Sequence, residues 1–335
     1  DLAPAQRAGM QPWNRVAGVE FNLYSKDNRW EGETYFHRSF SPDPQQRGNT
    51  MAQFLGYSTR RFNLFTGYNR VDSTYSAEAG FVPRPGVQGL YTGGGIIFYP
   101  KRGWAGRHLA NMRLGITGDQ TFSLTGRETD RDIYLNHNFY FKDQSNLTIG
   151  IYNAYTYLFS DFDPTYLATP DERPLDGARG YTYNGFRGEY NSSTSFDWQT
   201  ELSVTAGEYY NGHIFAANGR VGWRRQPYGT LSLLYSYNQI NLPRPYVSAN
   251  FWLLGPRLEF AFARNLFTSA FFQYNTQANN FNVNARVQWR FAPASDVFLV
   301  YTDNSYAAPV EQTRVRFLSP KNKTLVLKVV YWLNV

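Results

Sequence analysis

The feature that most constrains this chain is a two-residue alternation of apolar and polar side chains, sustained over long segments. From Phe281 the chain reads FNVNARVQWR. As an extended strand, this places Phe281, Val283, Ala285, Val287 and Trp289 on one face and Asn282, Asn284, Arg286, Gln288 and Arg290 on the other. Successive side chains of a strand point to opposite sides, so the split suits a sheet with lipid outside and water inside. The same pattern opens the chain, where Val19, Phe21 and Leu23 oppose Glu20, Asn22 and Tyr24. It returns where Ile133, Leu135, Phe139 and Phe141 oppose Asp132, Tyr134, Asn136, Asn138 and Tyr140, and where Leu231, Leu233, Tyr235 and Tyr237 oppose Ser232, Ser236 and Asn238. No segment holds a helical period over three turns.

Collecting every such segment predicts about 17 strands. Their cores are 15–25, 30–40, 49–60, 61–71, 87–99, 108–125, 130–142, 146–159, 180–191, 196–206, 211–225, 229–239, 248–263, 266–277, 279–291, 296–304 and 322–334. Strands of soluble sandwiches run to about 5–6 residues, whereas a tilted strand crossing a bilayer needs about 9–11. The expected fold is therefore all-β: an antiparallel transmembrane outer-membrane β-barrel, with residues 1–335 as one barrel domain.

The connections carry a second signal. Tight polar turns at 26–28, 59–60, 142–144, 191–193, 225–227, 264–265 and 292–294 alternate with long connections at 41–48, 72–86, 160–179, 240–247 and 305–321. Outer-membrane barrels pair short periplasmic turns with longer extracellular loops. On that rule the first and last strands both run toward the periplasm, which places Val335 there and makes the strand count odd. Bacterial single-chain barrels normally have an even count. The expectation is the C-terminal portion of a larger barrel, with residues 1–13 as the end of an outer loop. The first residues, Asp1-Leu2-Ala3-Pro4, carry no signal-peptide pattern.

Composition narrows the function classes. Aromatic residues make up 18% of the chain, with 26 Tyr, 26 Phe and 8 Trp, and barrels need such rings at two half-wet interfaces. Mean hydropathy is −0.51, no bar to a barrel whose strands are half polar. Cysteine is absent, which removes disulfide scaffolds, thiol catalysis and Cys-based metal sites. The net charge of +7 comes from 33 Lys+Arg against 26 Asp+Glu. These cations are dispersed toward strand ends and no stacking motif accompanies them, so anionic lipid headgroups are the expected partner and nucleic acid is not.

Six stretches resemble one family: NRVAGVEFNLYSKDNRWEG (14–32), YFHRSFSP (35–42), AEAGFVPRPG (77–86), FWLLGPRLEF (251–260), FQYNTQANNFNVNARVQWRFAPASDVFLVYTDN (272–304) and LVLKVVYWLNV (325–335). Together they are similar to an uncharacterised barrel family of Bacteroidota outer-membrane proteins, a domain of unknown function. The resemblance implies an upstream domain like a family-nine carbohydrate-binding module, together with further opening strands, neither present in these residues. It implies a fold and a membrane but supplies no catalytic residues.

Candidate chemistry is sparse. Of four histidines, His37 follows Glu31, Glu33 and Tyr35 on the expected lumen face of one strand. Such a row can bind a cation only with help from a second strand, since alternate residues lie about 6.5–7 Å apart. A solvated lumen network is the favoured reading. Asp161, Asp163, Asp171 and Glu172 crowd one long loop. Their spacing matches no calcium loop, so an ordinary acidic outer loop is preferred to a divalent bridge to lipopolysaccharide. The triplet Gly93-Gly94-Gly95 lacks the GK[ST] of a phosphate loop and reads as a bend in a strand. Asn282, Asn284, Arg286, Gln288 and Arg290 form the most polar lumen ladder, either a contact row for anionic or sugar solutes or a set of cations paired with carboxylates that fills the interior.

No nucleophile-elbow motif is present, so no enzyme activity, cofactor or metal is expected. The expected function is a barrel in the bacterial outer membrane that scaffolds other outer-membrane proteins or lipoproteins. A pore or uptake channel for saccharides or other small solutes is the alternative. Expected partners are outer-membrane lipid and lipopolysaccharide, protein subunits and carbohydrate.

Overall fold

A computed structural model describes residues 12–167, 172–308 and 318–333. The chain forms β1 (Arg15–Tyr24), β2 (Trp30–Phe40), β3 (Asn49–Ser58), β4 (Phe62–Val71), β5 (Val87–Phe98), β6 (Leu109–Ser123), β7 (Glu128–Phe141), β8 (Asn146–Leu158) and β9 (Arg179–Asn191). It continues with β10 (Trp198–Tyr209), β11 (Gly212–Arg225), β12 (Gly229–Asn241), β13 (Ala249–Ala263), β14 (Leu266–Asn275), β15 (Asn280–Ala292), β16 (Ser295–Ser305) and β17 (Pro320–Val330). One six-residue helix, α1 (Gly103–His108), and a 3-10 turn at Pro44–Gln46 complete the described elements. None of the described helices is long and apolar enough to cross a membrane, which bears only on helical spans.

Each of the 17 strands falls on an expected core. The largest shift is in β17, which ends at Val330 rather than 334. β10 runs on three residues to Tyr209 because a two-residue turn lets it pair with β11 down to Tyr209↔Gly212. Tyr210 reaches φ 51° there, the left-handed backbone that a tight hairpin turn demands. That turn also departs from the expected alternation of short and long connections. The connections at 124–127, 210–211 and 276–279 fall in the long series yet are as short as those of the other series. Gly126 at φ 87° and Asn279 at φ 44° close two of them in the same way. The placement expected for Val335 and most of residues 1–13 lie outside the described residues.

The chain divides into two compact units: Asp1–Asn138 with Gly150–Phe162 and Leu175–Asn184, and Phe139–Ile149 with Asp163–Pro174 and Gly185–Val335. In the first unit, β1 to β6 form an antiparallel meander in which each strand pairs with the next. Cross-strand partners share a face. One row therefore runs Glu20, Tyr35, Ala52, Asn69, Gly89 and Thr121, while a row on the opposite face runs Leu23, Gly32, Leu55, Thr66, Thr92 and Gly118.

In the second unit, β9 from Gly185 onward pairs with β10, and β10 to β17 continue as an antiparallel meander. One face carries Arg220, Arg257, Ser269, Asn284 and Thr302. The other carries Val221, Leu233, Pro256, Phe272 and Val283.

Burial is inverted relative to a water-soluble sheet. Among the described residues the packed apolar cluster is small, Ile240, Leu242 and Phe251 beside a connection. Large apolar side chains stand exposed in rows instead: Val19 at 71%, Phe21 at 64%, Leu64 at 58%, and Leu325 and Leu327 at 67% each. Contiguous apolar rows of this size are disfavoured in water and mark a surface made for another medium or partner.

Candidate functional site

The polar ladder of β15 is held by its hairpin with β16. The turn at 293–294 returns the chain so that Arg290 faces Asp296, Gln288 faces Phe298 and Arg286 faces Val300. Asp296 Oδ1 accepts from Gln288 Nε2 at 2.9 Å and from Arg290 Nε at 3.2 Å. Arg286 donates from Nη2 to Gln288 Oε1 at 2.8 Å, and its guanidinium lies 4.7 Å from the centre of the Phe298 ring. The row thus runs cation, amide, carboxylate, cation, with Asp296 almost buried and Arg290 half exposed.

The neighbouring strands extend this surface. On β13, Glu259 accepts from Arg257 Nε at 3.0 Å, and it faces Ser269 on β14, which faces Arg286. A concavity of about 400 Å³ lies over these groups, lined by Arg286, Gln288, Glu259, Ser269, Phe267 and Tyr228 among others. Asn282 donates to Gln273 Oε1 at 3.3 Å on β14. Asn284 lies exposed between Phe271 and Thr302. Arg290 is thus paired with a carboxylate, while Arg286 rests on a neutral amide and an aromatic face. Guanidinium, amides and rings together suit anionic or hydroxyl-rich solutes, through bidentate hydrogen bonds and stacking.

Phe281, Val283, Val287 and Trp289 occupy the opposite face of β15. Val287 and Trp289 are exposed, at 38% and 49%, and Phe281 and Val283 are half buried. Their cross-strand partners include Tyr274, Phe272, Thr268 and Leu266 on β14.

The Glu31 row assembles differently from the cation site considered for it. His37 Nε2 lies 3.1 Å from Glu20 Oε1 on β1, and the Tyr35 and His37 rings stack at 4.8 Å. Glu31 and Glu33 face Tyr24 and Asn22 on β1 and Gly56 and Phe54 on β3, so β1 and β3 bring no further ligand opposite them. Among the described residues no group of three or more His, Cys, Asp or Glu could hold a metal ion.

In the acidic loop the carboxylates hold backbone. Asp161 Oδ1 accepts from the Gly177 N–H at 2.8 Å. Asp163 accepts from the Thr165 N–H at 2.8 Å and from the Leu167 N–H at 2.9 Å. Asp171 lies outside the described residues.

Residue-by-residue reading missed Asp296, Phe298, Glu259 and Glu20. Each becomes visible only through register. Counting outward from the three-residue turn expected at 292–294 sets Arg290 against Asp296, the pairing that a register shift between Arg290 and Ala292 produces.

No family profile and no curated protein matches the chain. Among solved structures it is similar to a mutant ferric enterobactin receptor, PfeA, from Pseudomonas aeruginosa: 9% identity, TM-score 0.41, covering 94% of this chain and 69% of that one. It is also similar to the siderophore receptor PirA from Pseudomonas aeruginosa: 10% identity, TM-score 0.37, covering 87% of this chain and 68% of that one. Likenesses this distant leave the functional reading to the chain's own residues.

Proposed function

We propose that this chain forms a run of strands of a transmembrane β-barrel in a bacterial outer membrane, with its polar rows lining a lumen through which small polar solutes pass. One observation carries the membrane half of this reading. Strand register sorts most exposed leucine, isoleucine, valine and phenylalanine onto one face of each meander and most carboxylates, guanidinium groups and amides onto the other. Leu234, Phe267 and Val326 are among the exceptions on the polar face of the second unit, and Arg70 and Gln88 among those on the apolar face of the first. Exposed apolar rows favour a hydrocarbon medium, and the strands, at 10 to 15 residues, have the length to cross it.

The Arg286, Gln288 and Phe298 constellation favours solute contact on the polar side. A saccharide or a small anion would find the Arg286 guanidinium, the Gln288 amide and the Tyr228 and Phe267 rings in one concavity of about 400 Å³. The partner-holding reading predicts the opposite outcome in the same experiment. Purified chain inserted in a planar bilayer should give discrete conductance steps that a blocking oligosaccharide or small anion reduces. A silent bilayer, together with a protein that co-elutes stably from native outer membrane, would overturn solute passage in favour of scaffolding. The resemblance to Bacteroidota barrels fits either outcome.

A further inference from the structure

We infer that the apolar face of β4, β5 and β6 carries a built site for one anionic glycerophospholipid of the periplasmic leaflet. The inference rests on the membrane reading above. Its floor is glycine: Gly94 faces Leu64 and Ile116, and Gly118 faces Thr92, all on the face opposite the polar rows. The space outward of Gly118 is empty and Leu64 leans over Gly94, and a groove of about 930 Å³ lies between Phe62, Leu64, Leu90, Ile96, Leu114 and Ile116. Leu64 at 58%, Ile96 at 54% and Ile116 at 53% exposed form its walls. From Leu90 to Ile96 it follows six residues of β5, about 20 Å at roughly 3.3 Å each. A single leaflet contributes about half of a hydrocarbon core roughly 30 Å thick, so the groove matches one acyl chain lying along the strands.

Charge at one end identifies the headgroup. Phe62, Ile96 and Leu114 mark the end from which the connections at 59–61 and 99–108 emerge, and the Ile97 N–H donates to the Arg61 carbonyl at 2.6 Å across them. Those connections carry Arg60, Arg61, Lys101, Arg102 and Arg107 and no acidic residue. Arg61 itself lines the groove, and the Arg60 guanidinium lies 5.0 Å from the centre of the Tyr99 ring. Tyr99 at 40% and Trp104 at 61% exposed supply the rings that settle at headgroup depth. A groove for a hydrocarbon chain that ends in unopposed cations under aromatic rings is complementary to a phosphate on an acyl chain. This end belongs to the connection series read as periplasmic, where the leaflet is phospholipid. The glycine triplet is thus more than a bend: Gly94 is the floor of the groove.

The test uses whole chain inserted in nanodiscs of equal parts phosphatidylglycerol and phosphatidylcholine. Native mass spectrometry after mild detergent transfer then reads the lipid that stays bound. The expected result is one retained phosphatidylglycerol per chain, enriched about tenfold over phosphatidylcholine. Gly118→Trp should abolish retention by filling the groove, since nothing lies within 4 Å of a Cβ placed there. Arg60→Gln with Arg61→Gln and Arg102→Gln should erase the preference for phosphatidylglycerol, and these turn positions keep the test open if the tryptophan variant misfolds. Retention in the bulk lipid ratio, or retention unchanged in both variants, would overturn the site while leaving the membrane reading intact. Failure of the wild-type chain to float with lipid vesicles would sink the membrane reading and the site together.

Discussion

Arg290 and Asp296 face each other across the tight turn between β15 and β16, with Arg290 Nε donating to Asp296 Oδ1 at 3.2 Å. Asp296 also accepts from Gln288, so one carboxylate orders the lower half of the polar ladder. Asp296→Asn leaves Arg290 without its carboxylate partner and removes one negative charge from the Arg286–Arg290 row. Arg290 is half exposed, so the loss in stability should stay below about 1 kcal/mol. The larger effect is on selectivity: under a KCl gradient, the reversal potential should move toward anion preference. An unchanged reversal potential would show that this ladder does not line the conducting path.

Val287 and Asn284 test the face assignment directly. Val287 is exposed on the apolar face of β15, and Asn284 lies on the polar one. A guanidinium at mid-bilayer costs about 2–4 kcal/mol on a lipid-facing position and little in a watered lumen. Val287→Arg should therefore lower the unfolding free energy in lipid vesicles by about that amount, with Asn284→Arg near neutral. The reverse ranking would exchange the two faces.

Acid sensitivity should have a local source at Asp72, just beyond the end of β4. Burial alone would raise its pKa. The Asn49 backbone N–H and side-chain amide, both at 3.0 Å from Oδ2, together with Arg70 Nε at 3.3 Å from Oδ1, outweigh that and hold it below the ordinary carboxylate value. A depressed carboxylate stabilises the fold above the unfolded-state pKa of about 3.9 and loses that contribution as pH falls through the folded value. Thermal melts should thus be flat with respect to this group from neutral pH to about 4.5 and decline below about 4. In Asp72→Asn the group's share of the decline should vanish while the neutral-pH melting temperature drops. A variant with the wild-type acid slope would remove Asp72 as the source.

Strand positions were legible because the period of two is written into every crossing. FNVNARVQWR needs no partner to declare its faces, and β15 lies one residue from its expected start and end. The site was legible only by half. Arg286 and Arg290 show in the sequence as polar positions, but their partners lie across hairpins, and Asp296 reads alone as an ordinary turn-end residue. The short turns at 124–127, 210–211 and 276–279 were misread rather than hidden. Tyr210 and Asn279 take left-handed backbone with no glycine at the position itself. Gly126 and the Asn211-Gly212 pair are nonetheless local turn signals, and the expected strand cores already leave only a few residues at each of these connections. The groove over Gly94 was hidden, since a glycine in one strand means little until Leu64 and Ile116 are set beside it.

Gly67 separates two rings on the polar face of the first unit. It is the cross-strand neighbour of both Phe54 and Tyr91, whose rings stand 6.2 Å apart and nearly parallel. The Tyr91 ring covers the place a Gly67 Cβ would occupy. Gly67 is absent from the positive-φ positions, so the backbone accepts alanine and the obstacle is the ring alone. Gly67→Ala should cost about 1–3 kcal/mol, as overpacking does. In a Tyr91→Ala background the same change should be nearly neutral, or stabilising by the few tenths that alanine gains over glycine in an extended strand. The coupling energy from the double-mutant cycle, read from urea unfolding in micelles, should then exceed about 1 kcal/mol. Equal costs in the two backgrounds would mean that Gly67 is held for a backbone reason and that the rings pack over it without consequence.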